Sequence, residues 1–161
     1  MTEKRRFGAL SEDEILSKRQ AAVPKNTQKC NTGAATLFRE YLREKEMDTD
    51  FEQYDETTLV KTLGPFYLNA RTKGGELYKA TTFENFRYSL NRYLKSPPVM
   101  KTYNIISSHS FTEANECFKA ALCEIKKAGK GAVEHYPMIT LTDLRKLYSS
   151  IYLGRTSLQA C

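Results

Sequence analysis

Catalysis needs a constellation of acids, bases and nucleophiles, and this chain supplies few of the parts. It has two histidines in 161 residues, His109 and His135. They stand in the strings His-Ser-Phe-Thr and His-Tyr-Pro-Met, neither of which suggests a ligand pair or a nucleophile with its base. His135, ahead of Tyr136-Pro137, reads as a half-exposed loop residue. The cysteines Cys30, Cys117, Cys123 and Cys161 are scattered, with no Cys-x-x-Cys pair. Cys117 and Cys123 are six apart on a helical stretch and so point to different sides, and no zinc site is expected. Free thiols fit a reducing compartment. Gly74-Gly75 and Gly129-x-Gly131 lack the strand-to-helix setting of a phosphate cradle. The acidic pairs Glu12–Asp13 and Glu44–Glu46 read as solvated helix faces. No catalytic residues, metal or cofactor are expected.

The basic residues carry more. Tyr78 and Lys79 lead into TTFENFRYSLNRYLK, residues 81–95, which holds Arg87, Asn91, Arg92 and Lys95. On a helix, Arg87, Asn91 and Lys95 are spaced by four and share a face. Two cations around an amide suit a phosphate backbone, and arginine or asparagine also matches base edges. A solvated face would carry the same residues. A second group, Lys119, Lys126, Lys127 and Lys130, offers further phosphate contacts, although cations in a last helical turn also suit the helix dipole. The net charge of +6 and a pI near 9.1 tilt the partners towards polyanions.

These residues must be positioned by helices. The apolar period is 3.6 nearly throughout, and no alternating strand pattern appears. A hydrophobic content of 40% with 27% charged residues fits a folded globular chain. No apolar run approaches the ~20 residues of a membrane span. MTEKRRFGALSEDE lacks the apolar segment of a secretory signal, so none is expected. Ser11 and Glu14 have capping-box form for a first helix over 11–20. A second helix runs from Pro24 to about Lys45, with Ala34, Leu37, Phe38, Tyr41 and Leu42 inward. The third, about 56–72, turns Leu59, Leu63, Phe66, Tyr67 and Ala70 inward, with Asp55 as N-cap and a kink or break expected at Gly64-Pro65. The fourth, about 82–95, buries Phe83, Phe86, Leu90, Tyr93 and Leu94. Residues 97–109 form a loop or an extended piece. The fifth helix, about 110–129, carries the stripe Phe111, Ala114, Phe118, Ala121, Leu122 and Ile125. Gly129-Lys130-Gly131 reads as a flexible joint. Thr140 and Asp143 cap a sixth helix to about Tyr152, with Leu144, Leu147, Tyr148 and Ile151 inward.

Four strings in this order resemble one family: NTQKCNTGAATLFREYL, FYLNARTKGGELYKATTFENFRYSLNRYL, FTEANECFKAALCEIKKAGKG and HYPMITLTDLRKLYSS, covering about 26–150. They are similar to the N-terminal, SAM-like core-binding domain of Crypton-type eukaryotic tyrosine recombinases, including host proteins descended from such transposons. The resemblance implies an all-α fold, a small bundle of four to five helices plus a sixth after a linker. It divides the chain into a flexible basic N-terminus (1–10), the core-binding domain (11–128), a linker (129–139) and the start of a truncated catalytic-domain-like segment (140–161). In the family this bundle is half of a clamp around duplex DNA. Carried over, Arg87, Asn91, Arg92 and Lys95 face double-stranded DNA, with Tyr78, Lys79 and Thr81 leading in and Lys126, Lys127 and Lys130 as additional contacts.

The family's chemistry requires an arginine, a lysine, a His-x-x-Arg pair and a tyrosine nucleophile. Neither histidine here begins His-x-x-Arg, and Arg155 has no catalytic partner. The expectation is a nuclear DNA-binding module with no recombinase activity of its own, cytoplasmic location being the alternative. Two other readings stay open. One is a domesticated protein-interaction module, with Tyr88 and Tyr103 as exposed anchors. The other is a fragment of an active recombinase.

Overall fold

The computed structural model describes residues 6–131 and 138–149. Within them lie the helices α1 (Glu12–Ala21), α2 (Lys25–Glu44), α3 (Glu56–Asn69), α4 (Ala80–Lys95), α5 (Thr112–Lys127) and α6 (Leu141–Ser149), with single 3-10 turns at Phe51–Gln53 and His109–Phe111. The described residues contain no strand, so the chain is all-α. Residues 1–5, most of the expected linker (132–137) and 150–161, with Ile151 and Cys161, lie outside the description.

Three helix ends show a clear local cause. Ser11 caps α1 through a complete capping box: its Oγ accepts from the Glu14 N–H at 3.2 Å, and Glu14 Oε2 accepts from the Ser11 N–H at 2.8 Å. α2 ends in a Schellman pattern, with Met47 N–H donating to Leu42 O and Glu46 N–H to Arg43 O. That closure places Glu46 at φ 55°, a left-handed conformation without glycine's relief. α5 closes in the same way, Lys130 N–H donating to Ile125 O and Gly129 N–H to Lys126 O, with Gly129 at φ 80°.

The core is built by α2, α3, α4 and α5. Its buried side chains include Ala34, Phe38 and Leu42, then Leu59, Leu63, Phe66 and Tyr67, then Phe83, Leu90 and Leu94, then Ala114, Phe118, Ala121 and Ile125. Phe51, Ile105 and Phe111, from the connecting segments, close its ends. The expected inward stripes therefore bury, with Leu37, Tyr41, Ala70, Phe86, Tyr93 and Leu122 half-buried at their margins. Phe38 meets Phe51 and Phe66 edge-on at 4.9 and 5.0 Å, and Phe83 stacks on Phe118 at 4.9 Å. Such aromatic pairs add roughly 0.5–1.5 kcal/mol each beyond the area they bury.

Three expectations change. α3 is not broken at Gly64-Pro65 but runs through Pro65 to Asn69. Pro65 and Lys61, whose carbonyl loses its donor, both sit on the exposed side, so water can satisfy that carbonyl. Gly64 faces α5 instead: a Cβ there would lie 3.2 Å from Cys117 Sγ, so glycine sets the α3–α5 approach. The segment 129–131 is also no free joint, because Lys130 is bonded back to the bundle. Finally, α6 buries none of its described residues. Thr140 Oγ1 accepts from the Asp143 N–H as its cap, but Leu144 is only half-buried and Tyr148 is 71% exposed.

Candidate nucleic-acid interface

α4 is gripped on two sides, by α2 and by α5. That position divides its polar residues into two sets with different roles. Arg87 points towards α5. Its guanidinium donates to Asn115 Oδ1 at 2.7 Å and lies 4.4 Å from the centre of the Phe118 ring. Asn115 in turn donates to the carbonyls of Ile105 and Ile106 at 3.3 and 3.1 Å. Asn91 is buried, and its Oδ1 accepts from the Ile105 N–H at 3.1 Å. Arg87 and Asn91 thus fasten the 97–108 loop to α4 and α5. They share a face, as their spacing requires, but it turns inward. Both are expected as DNA contacts and are instead placed as internal fasteners: Asn91 is buried against the 97–108 loop, and the Arg87 guanidinium is held half-buried on Asn115 and Phe118.

Arg92 belongs to the other set. It is exposed at the α2–α4 seam, where Nε donates to Asn31 Oδ1 at 3.1 Å and a terminal nitrogen donates to Ser89 Oγ at 3.0 Å. Both acceptors are neutral, so the guanidinium is oriented while its charge stays uncompensated. Ion pairs among the described residues are Arg39–Glu52, Arg71–Glu124 and Lys130–Glu76. Arg19, Lys29, Lys79, Arg92 and Lys95 take part in none of these.

All of these but Arg92 line one concave track, and Arg92 stands at its edge. A cleft of about 370 Å³ holds Arg19, Gln28, Asn31, Thr32 and Lys95. Through Thr32 it joins a groove of about 890 Å³ between α2 and α4, with Asn26, Lys29, Thr36, Asn85 and Ser89 in its walls and Leu37 and Phe86 among its apolar lining. Through Thr82 this opens into a third cleft of about 490 Å³ containing Tyr78, Lys79 and Lys130. Two acids line the track, Glu40 and Glu76, and Glu76 is already paired with Lys130. Small hydroxyl and amide side chains between cations leave room for a backbone to approach and supply hydrogen bonds when it does. Tyr78 stands at the Glu40 end, packed edge-on against Phe86 at 4.9 Å; burial, with the Glu40 charge adding to it, holds its phenol above the ordinary 10.0.

Of the expected contacts, Tyr78, Lys79 and Lys95 line the track, and Arg92 is held at its edge by two lining residues. Thr81 is exposed beside it. Lys126 and Lys127 are exposed on the last turn of α5. Lys130 lines the third cleft, but its ammonium is engaged internally. Arg19 and Lys29, absent from the expected set, also line the track. The signal for Lys29 is the polar, small-residue side of α2, which acquires meaning only once α2 is known to lie against α4; Arg19 stands on α1 and reaches the cleft only through the fold. Of the two expected protein anchors, Tyr88 is exposed, whereas Tyr103 packs on Phe111 at 5.3 Å and its hydroxyl is buried. Among the described residues no helix is long and apolar enough to cross a membrane, and no cluster of His, Cys, Asp or Glu could hold a metal ion. No protein-family model, curated protein or solved structure matches the chain.

Proposed function

We propose that this bundle is a DNA-holding module that grips duplex DNA by its phosphates along the α2–α4 track. The observation that carries the reading is the run of Arg19, Lys29, Lys79, Arg92 and Lys95 beside one concave surface, none of them in an ion pair within the described structure. Uncompensated surface cations are costly to bring together unless a polyanion meets them, and each phosphate neutralised releases condensed counterions. The residues between them are hydroxyls and amides, which position a backbone and read sequence weakly. The likeness of the four sequence strings to a recombinase core-binding domain points the same way, with the helix holding Arg92 and Lys95 as the DNA-facing one.

The reading assigns the chain no chemistry of its own, because its sequence contains no His-x-x-Arg string. In a clamp made of two halves, one half alone binds weakly. The expected affinity of the isolated chain is on the order of 10⁻⁴ to 10⁻⁶ M at physiological salt, the range of non-specific binding. Titration of a fluorescent duplex across salt concentrations tests this. With four or five phosphate contacts, log K falls with log salt at a slope of about −4. A chain that binds no duplex even at low ionic strength contradicts the proposal.

A further inference from the structure

The end of α5 is tied to the approach to α4 by both the backbone and the side chain of one residue. The Lys130 carbonyl accepts from the Ala80 N–H, the first residue of α4, at 3.1 Å. Its ammonium donates to Glu76 Oε2 at 3.1 Å and to the Leu77 carbonyl at 2.9 Å. Its own N–H completes the cap of α5 on Ile125 O. Gly131 then lies against the last turn of α5 so closely that a Cβ would stand 2.6 Å from Lys126 Cγ. Three glycine-rich residues that have the composition of a swivel are thereby held at four points.

We propose that Lys130 is a latch: its ammonium locks residues 129–131 onto the 72–80 segment and so fixes the direction in which the chain leaves the bundle. The side chain is a third exposed and Glu76 is three-quarters exposed, so the lock is within reach of solvent and salt. Removing the ammonium takes away two of the four tethers together. Of the three bonds that join residues 129–131 to the 72–80 segment, the backbone bond to Ala80 is then the one left, and that segment and the exit from α5 loosen as one unit. This inference is independent of whether the track holds DNA.

Amide hydrogen exchange of the full chain, followed by NMR without DNA, tests it. In Lys130→Ala the Ala80 amide is expected to exchange about tenfold faster or more, while the Leu90 and Phe118 amides inside α4 and α5 keep their wild-type rates. Glu76→Gln retains the Leu77 carbonyl as an acceptor, so its Ala80 rate should fall between wild type and Lys130→Ala. Two results overturn the latch. One is an Ala80 rate in Lys130→Ala within about twofold of wild type, which would show that the side chain does not hold the segment. The other is equal acceleration of Ala80, Leu90 and Phe118, which would make Lys130 a contributor to global stability only.

Discussion

Single residues on α4 have separable roles, and their substitutions should separate too. Arg87→Ala removes the donor to Asn115 and the cation over Phe118. Its cost should be roughly 2–3 kcal/mol in chemical denaturation, with duplex binding of the folded fraction unchanged. Arg92→Ala should do the reverse: little change in stability, and a salt slope of duplex binding shallower by about one. Spacing in the sequence makes Arg87, Asn91 and Lys95 co-facial, and the structure keeps Arg87 and Asn91 together but turns Lys95 to the cleft beside α2. Spacing cannot say which way that face turns, because the direction depends on where α5 and the 97–108 loop pack. Arg92, one position from Asn91, lies about 100° further round the helix and so turns to α2, where Asn31 and Ser89 accept from it. Tyr67 adds a pH test. Burial pushes its phenol well above the ordinary 10.0, the Arg87 charge opposing this in part, and its hydroxyl has no hydrogen-bond partner. The folded state therefore keeps a proton that the unfolded chain releases above pH 10, so this contribution is fully present below pH 10 and is lost as pH rises beyond it. Tyr67→Phe should flatten the alkaline decline in stability without loss at neutral pH.

Helices were legible where the signal was local. Period, capping box and inward stripes identified α1 to α5 within a few residues, because those features act inside one element. The break that the sequence predicts at Pro65 does not form because its effect depends on surroundings: on the exposed side of α3 its lost hydrogen bond falls to water, and the helix continues. Gly64 had a reason invisible in the sequence, the close passage of Cys117. Gly64→Ala should therefore cost less in a Cys117→Ala background than alone, and a double-mutant cycle in urea measures that coupling. Glu46 marks another interelement choice, a left-handed closure of α2 without glycine. Glu46→Gly should raise stability by about 0.5–1 kcal/mol by relieving that backbone conformation. The apolar period of α6 predicts an inward face, yet Leu147 and Tyr148 are exposed, since periodicity reports that a face exists and not that it is buried.

At the scale of the molecule, the four core helices present one side on which cations and small polar groups alternate along the α2–α4 seam. The net charge of +6 hinted at a polyanion but could not place it, because Arg19, Lys29, Lys79 and Lys95 come from separate parts of the chain and meet only in the fold. The central claim is that this location, rather than total charge, holds DNA. The most direct measurement compares the salt slope of duplex binding for wild type, for Arg92→Ala/Lys95→Ala and for Lys61→Ala, which removes an exposed cation from α3, off the track. The account predicts a slope shallower by about two for the double variant and a slope within about 0.5 of wild type for Lys61→Ala. Equal losses per charge removed, on and off the track, would contradict it.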